Sequence, residues 1–387
     1  MEGVPELIGA AAVAIWVYLV LFRGGFWRLP EPPLPDRPVP RRAVVAVVPA
    51  RDEAECIGRA IGSLLDQDHP GRLHVVLVDD HSRDGTAALA RAAAERRGAR
   101  ARLAVCHGRP LPPGWTGKLW AMHQGIEAAR ALAPDWLLLT DADIAHQPSN
   151  LAELVAHAER GGWDLVSLMV RLNCRSFWER LLIPAFVFFF FKIYPPRWVA
   201  DPARHTSAAA GGCMLIRPSA LDQIGGIGAI RGEIIDDCAL ARRVKAVGGA
   251  VWLGSSAATC SLREYRRWQP IWQMIARTAF AQLGYSPMLL AGALVALALA
   301  YLSPPLLLLS SDPAARLLGA TAWLAMAAAF LPILRAYDGP RITALLLPLI
   351  TLFYGAATVA SAVAFWRGHG GRWKGRFQAA GQRPKPG

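Results

Sequence analysis

Three stretches in the last third of the chain set the strictest limit on its fold: Thr278 to Ser311, Leu317 to Leu334 and Thr343 to Trp366 contain no Asp, Glu, Lys or Arg. In hydrocarbon every backbone N–H and C=O has to be satisfied within the segment, so apolar runs of about 18 residues or more read as membrane-spanning helices. The turns between them hold Asp312 and Arg316, then Arg335, Asp338 and Arg341. A further uncharged run, Leu7 to Phe22, is succeeded by Arg23, Arg28, Arg37, Arg41 and Arg42. A secretory signal would carry its basic residues before the apolar run and a small-residue cleavage site after it. This run therefore reads as an uncleaved anchor that leaves the next domain in the cytoplasm. Three full crossings at the other end would then place the basic tail, 367–387, on the opposite side, against the positive-inside tendency. Pro304-Pro305 offers a re-entrant first segment that would remove the conflict.

Composition agrees. A mean hydropathy of +0.27 and 53% hydrophobic residues exceed what an ordinary soluble enzyme carries. The net charge of +13 would suit nucleic acid, yet the Arg and Lys residues lie beside apolar segments, where they face anionic headgroups. The partner implied is a membrane, not nucleic acid. Six cysteines, at 56, 106, 174, 213, 238 and 260, form no Cys-x-x-Cys pair and read as buried thiols in a reducing compartment.

Residues 30–42 form a stiff proline-rich spacer between the anchor, 1–29, and an α/β region, 43–277, which precedes the membrane region 278–366. Ala43 to Val48 reads as a strand, Ala54 to Leu65 as a helix with Ile57, Ile61, Leu64 and Leu65 on one face, and Leu73 to Val78 as a second strand ending in Asp79-Asp80. Strands alternating with helices imply a mostly parallel sheet that binds ligands beyond its carboxyl edge. At that edge the apolar run Leu137-Leu138-Leu139 stops at Asp141 and Asp143, two carboxylates able to hold Mg2+ or Mn2+ on a diphosphate. Asp141 could equally start a turn and cap the helix opened by Pro148-Ser149-Asn150. The first strand end, Val48-Pro49-Ala50-Arg51-Asp52-Glu53, lacks the Gly-x-Gly-x-x-Gly of a dehydrogenase. Paired acids like Asp79-Asp80 occur in receiver domains, but that reading leaves Asp141, Asp143 and the membrane segments unused. An acid there can instead accept hydrogen bonds from a base or ribose, or merely cap a turn.

Between these acids, Gly114-Trp115-Thr116-Gly117-Lys118 opens a helix and offers free N–H groups and a lysine to an anion; as a plain loop it would leave Lys118 solvated. Ala208 to Ile216 is a small-residue strand entry in which Gly212 and Cys213 allow a sugar, or another strand, to approach closely. Ile235-Asp236-Asp237 starts a helix with one acid more than a cap requires. Trp268, Ile271, Trp272 and Ile275 recur at helical spacing, as on a helix lying in the headgroup layer or buried in a core, and Leu181 to Phe191 reads as a second element facing lipid.

Taken in order, Val-Pro-Ala-Arg-Asp-Glu, Val-Asp-Asp-His-Ser-Arg-Asp-Gly-Thr, Gly-Lys, Asp-Ala-Asp and Ile-Asp-Asp resemble family 2 glycosyltransferases of GT-A fold. Pro-Pro-Gly-Trp-Thr-Gly-Lys-Leu-Trp-Ala, Ala-Ala-Ala-Gly-Gly-Cys-Met-Leu and Ile-Asp-Asp-Cys-Ala-Leu are more narrowly similar to the hopanoid-associated (hopene-associated) members. The resemblance implies an inverting transfer from a nucleotide-sugar donor to a lipid acceptor at the inner membrane. It assigns Asp237 as general base with Asp236 in support, and Asp141 and Asp143 to a divalent cation. The donor falls to Pro49, Arg51, Glu53, Asp79, Asp80, Lys118, Asp141 and Arg267, the acceptor to Gly212, Cys213 and Trp268. Arg263-Glu264-Tyr265-Arg266-Arg267-Trp268 departs from the family's Gln-x-x-Arg-Trp by carrying Glu264 in the Gln position, which weakens any case for processive synthesis. Ceramide, a carotenoid or a polyprenyl phosphate as acceptor, and a catalytically silent scaffold, stay open as alternatives.

Overall fold

A computed structural model describes residues 3–33, 39–373 and 376–377; part of the spacer and most of the basic tail lie outside them. The chain divides into two compact units. Pro30–Asn173 and Trp198–Arg263 make one, while Met1–Leu29, Cys174–Arg197 and Glu264–Arg372 make the other. The α/β region is thus not one stretch from 43 to 277: of those residues it gives up Cys174–Arg197 and all from Glu264 to Arg277.

The α/β unit is built on an eight-stranded sheet of order β3-β2-β1-β4-β7-β6-β8-β5. Its strands are β1 (Val44–Ala50), β2 (Leu73–Asp79), β3 (Leu103–His107), β4 (Trp136–Thr140), β5 (Ile144–His146), β6 (Leu165–Arg171), β7 (Cys213–Ile216) and β8 (Val251–Ser261). Every residue of β1 and β4 is buried, as expected of a sheet covered on both faces. The first four strands are parallel: β1 pairs with β2 and β4, and β2 with β3. Strand β7 then enters antiparallel to β4, with Thr140 opposite Cys213. That reversal decides the site, because it sets the start of β7 beside the carboxyl end of β4. Register also levels the ends of β1 and β2, Ala50 lying opposite Asp79. Just past these ends Asp52 and His81 adopt left-handed φ of 51° and 57°, strained for residues with a Cβ and a mark of a loop held by its surroundings.

The other unit is helical. Val4–Phe22, Pro287–Leu307, Pro313–Ala336 and Arg341–Trp366 are long and apolar enough to cross a membrane. The expected span from Thr278 to Ser311 divides: Thr278 belongs to the helix Trp268–Gln282, and the apolar helix starts at Pro287. Pro304-Pro305 sits after a π turn, Ala298–Leu302, and the run continues as helix Ser303–Leu307. Small residues let these helices approach closely. A methyl group at Gly9 would fall 2.7 Å from Leu318 Cβ, and one at Gly319 would fall 2.7 Å from the Pro304 carbonyl oxygen. The indole of Trp16, fully buried, donates to the Ala300 carbonyl at 2.7 Å.

In the helix Trp268–Gln282 the buried alternative holds for Ile271 and Ile275, 0% and 6% exposed, and for Trp272, which packs edge-on against Phe353 at 5.2 Å, while Trp268 at the helix start stays exposed. The Phe-rich helix Phe177–Ile193 likewise buries Leu182, Val187, Phe188 and Phe191 instead of turning them to lipid.

Candidate active site

The site is assembled at the carboxyl edge of the α/β unit. The ends of β1 and β2 are laced together: Asp52 Oδ1 accepts from Arg83 N, Asp84 Oδ2 from Ala54 N, and the Ser82 and Thr86 hydroxyls accept from Asp52 N and Glu53 N. Asp79 and Asp80 then part roles. Asp79 Oδ1 accepts from Ser82 N at 3.1 Å and closes its own turn, as an Asp after a strand commonly does. Asp80, 3% exposed, is met by Arg51, whose Nη1 donates to the Asp80 carbonyl at 2.7 Å and lies 3.4 Å from Oδ2. Pro49 is buried inside β1 opposite Val78 and presents only its backbone to the edge.

The helix Gly117–Arg130 starts as its sequence suggests, with Thr116 as N-cap, and this places Lys118 in the first turn. Its Nζ lies 2.9 Å from Asp141 Oδ1 and 3.1 Å from Asp236 Oδ2. A second cation repeats the arrangement. Arg263 donates through Nε to Asp143 Oδ2 at 2.8 Å and through Nη2 to both oxygens of Glu53 at 3.0 and 2.9 Å. Asp237 is held differently, by backbone: Gly211 N donates to its Oδ2 at 2.8 Å and Cys238 N to its Oδ1 at 2.7 Å. A methyl group at Gly211 would lie 3.2 Å from Lys118 Nζ and 3.4 Å from Asp237 Oδ2, so this glycine is the floor between Lys118 and Asp237.

Electrostatics follow from the geometry. Burial alone would lower the Lys118 pKa, but Asp141 and then Asp236 overcome it and hold the ammonium charged far above neutrality. Burial raises Asp141, with Lys118 opposing and Asp143 adding to the rise. Burial, then the charge of Asp236, push Asp237 up to about 6 against the pull of Lys118 and the two N–H groups. A carboxylate in that range is matched to proton transfer near neutral pH. Asp236 Oδ2 is buried and, among the described residues, has no hydrogen-bond donor in proper geometry.

No group of three or more His, Cys, Asp or Glu side chains that could hold a metal comes together among the described residues. The donor set nevertheless fits a hard dication, since Mg2+ bound to a diphosphate needs only one or two protein carboxylates. Asp141 and Asp143 each meet their cation through one oxygen and keep a second.

Two assignments are corrected. Cys213 is fully buried in the sheet core, where burial pushes its thiol up to about 12, and it cannot touch an acceptor. Gly212 serves packing, a methyl there falling 2.8 Å from Val170 Cγ1. Arg267 and Trp268 belong to the helical unit, as the exposed start of the helix Trp268–Gln282. Gly211 and Arg263 join the site without having been assigned to it. The one sequence signal for Gly211 is the Gly-Gly pair, and Arg263 lies immediately before Glu264, outside the motif that ends in Arg267-Trp268.

A model of the family described as glycosyltransferase like family 2 matches residues 40–280, well over half of the chain. The chain belongs to that family. Among curated members, undecaprenyl-phosphate 4-deoxy-4-formamido-L-arabinose transferase of Pseudomonas savastanoi pv. phaseolicola is 32% identical over 148 residues, covering 37% of this chain and 40% of its own. The Pseudomonas aeruginosa protein of that name is 34% identical over 149 residues, with the same coverage. The match thus spans 40% of the length of these relatives. A mannosyltransferase from Pyrobaculum calidifontis, solved with GDP-Man and Mn2+, superposes with a TM-score of 0.57 over 93% of this chain and 98% of its own at 22% identity, which establishes the GT-A fold for this glycosyltransferase-family chain.

Proposed function

We propose that the protein is a membrane-anchored, inverting glycosyltransferase that moves a sugar from a nucleotide donor to a hydroxyl of a lipid, a hopanoid or related isoprenoid. The observation that carries this reading is Asp237: a carboxylate raised to about 6, fixed by two backbone N–H groups, beside a lysine and a second acid. Such a group is built to take a proton. In the reaction the acceptor oxygen bonds to the anomeric carbon from the face opposite the leaving group, its proton passes to Asp237, and the nucleoside diphosphate departs with the bonding pair. The configuration inverts. A divalent cation held through Asp141 and Asp143 would supply Lewis-acid neutralisation of the diphosphate. Lys118 and Arg263 add positive charge on the same edge, Asp80 and Arg51 hold the nucleoside side, and Asp236, paired with Lys118, supports Asp237. The catalytic unit faces the cytoplasm, where nucleotide sugars are made.

A second reading has a specific ground. The curated relatives named above are undecaprenyl-phosphate transferases, and a polyprenyl phosphate is an acceptor already ionised at neutral pH. It needs no base. Labelled nucleotide sugars offered to the detergent-purified protein with hydroxylated hopanoid or with polyprenyl phosphate separate the two. Transfer to the hydroxyl lipid that collapses in Asp237→Asn supports the first; transfer only to the phosphate, undiminished in that variant, overturns it.

A further inference from the structure

Behind the acids lies a buried polar cluster with no part in the chemistry above. His146, at the end of β5, is 5% exposed, and around it Thr140, Asn150 and Thr259 are 2%, 1% and 0% exposed. Its Nε2 lies 3.1 Å from Thr140 Oγ1, and its Nδ1 lies 3.1 Å from Asn150 Nδ2 and 3.2 Å from Thr259 Oγ1. The Thr140 hydroxyl donates its one proton to the Gly212 carbonyl at 2.7 Å. It has none left for the imidazole, so Nε2 must carry the proton and donate to Thr140. The Asn150 amide nitrogen only donates, so Nδ1 must accept. The protons that set the tautomer are thereby assigned: Asn150 to Nδ1, Nε2–H to Thr140, Thr140 to Gly212. Burial keeps the ring neutral, its pKa lowered to about 4, so the pattern holds across the working pH range.

The ends of this chain of bonds are the two halves of the site. Thr140 is the residue before Asp141, and Gly212 is the residue after Gly211, whose N–H holds Asp237. We infer that His146 is a positioning residue, which through Thr140 and the Gly212 carbonyl fixes the spacing between the Asp141–Asp143 carboxylates and the base Asp237. This inference rests on the function proposed above. An apolar side chain in its place would leave Thr140 free to turn away from the Gly212 carbonyl and the Gly211-Gly212 segment free to shift. Misplacement of about 1 Å in such a site costs on the order of a hundredfold in rate.

The test has two arms. In the first, 15N-histidine NMR of the purified full chain reads the ring directly: an Nε2–H tautomer that stays neutral at about pH 5.5 is expected, since burial holds the ring far below its usual range. An Nδ1–H tautomer, or ordinary titration, overturns the network whatever the protein catalyses. In the second, His146→Leu and Thr140→Val are compared with His146→Gln and Thr140→Ser, which keep a donor and a hydroxyl. The first pair should lose about 10- to 100-fold in kcat with the donor KM within about threefold, and the acidic limb of the kcat profile should move up as the Gly211 N–H leaves Asp237. The conservative pair should recover most of the rate. Unchanged kcat in both disruptive variants, or a loss that falls on KM alone with the acidic limb unmoved, overturns the inference. A wild-type protein that transfers no sugar would count against the proposed function instead, with the tautomer still deciding the network.

Discussion

The raised pKa of Asp237 makes a prediction that a capping aspartate would not. With the carboxyl pushed to about 6, the base is about nine-tenths ionised at pH 7 and about one-tenth at pH 5, so kcat should fall about tenfold between them. At the usual carboxylate value of 3.8 the same step would change kcat by less than about 10%. Asp237→Asn removes the base and should lower kcat by about a hundredfold to ten-thousandfold and flatten the profile. The substitution is not silent in structure. Both carboxylate oxygens accept a backbone N–H, and an amide offers one oxygen, so one of the bonds from Gly211 and Cys238 is lost. Against that loss, the variant no longer buries a charge beside Asp236. The sign of the stability effect follows from the direction of the shift. A carboxyl raised in the folded state binds its proton there before it does in the unfolded chain, so it stabilises the fold below about pH 4 and that contribution is lost as pH rises through about 6. Wild-type Tm should therefore gain on Asp237→Asn as pH is lowered through this window. Initial rates with saturating donor and acceptor, alongside thermal melts, measure both. A kcat level from about pH 5 to 7, with Asp237→Asn within about threefold of wild type, would refute the assignment.

Asp143→Asn should cut turnover at least about a hundredfold, and chelation of the wild-type protein should mimic it; full activity in chelator without added cation excludes the metal role. Asp80→Ala should raise the donor KM about tenfold with a smaller change in kcat, since it faces Arg51 and not the reacting atoms; a pure kcat loss would move it into the chemistry. Trp272→Glu places a charge against Phe353 inside the helical unit and should lower Tm by several degrees, with transfer and donor hydrolysis falling together. A loss confined to the lipid acceptor would restore the headgroup reading of that helix.

Asp79, Asp80, Asp141 and Asp143 are legible in the sequence because they come at the end of buried strands, and an apolar run that ends in a carboxylate announces its own carboxyl edge; Asp236 and Asp237 are legible as a pair of acids at a helix start. Helix starts are legible for a similar local reason: Thr116 caps the helix Gly117–Arg130 and brings Lys118 to its first turn. What escapes the sequence is non-local. Arg263 reaches Glu53 across 210 positions, and no spacing rule connects them. The Gly-Gly pair tells that a close approach occurs but not which glycine faces which neighbour; antiparallel entry of β7 opposite Thr140 decides that Gly211 meets the base and Gly212 meets Val170. The helix Trp268–Gln282 is amphipathic as its spacing predicts, yet apolar spacing does not say whether the face meets lipid or protein. Ile271 and Ile275 are buried, and Trp272 meets Phe353 of another helix, a partner that the spacing of this helix cannot reveal.

The ion pairs of the site bear on the proposed cation. Lys118 is shared between Asp141 and Asp236, and Arg263 between Asp143 and Glu53, so two positive side chains face four carboxylates. With Asp237 beside them the acids outnumber the basic side chains, an excess that a divalent cation would offset. The strain of that excess is visible in Asp141, which burial and Asp143 raise although Lys118 stands at 2.9 Å. A diphosphate arriving alone would add negative charge to an edge already in excess of it, and would have to take Lys118 and Arg263 from acids that hold them at 2.8 to 3.1 Å. A diphosphate arriving with a divalent cation would bring the charge that the acids lack. Asp141 and Asp143 would hold that cation, which would leave Lys118 and Arg263 able to turn toward the phosphates. On this reading a neutral side chain in place of Lys118 or Arg263 would cost both the ion pairs seen here and donor binding.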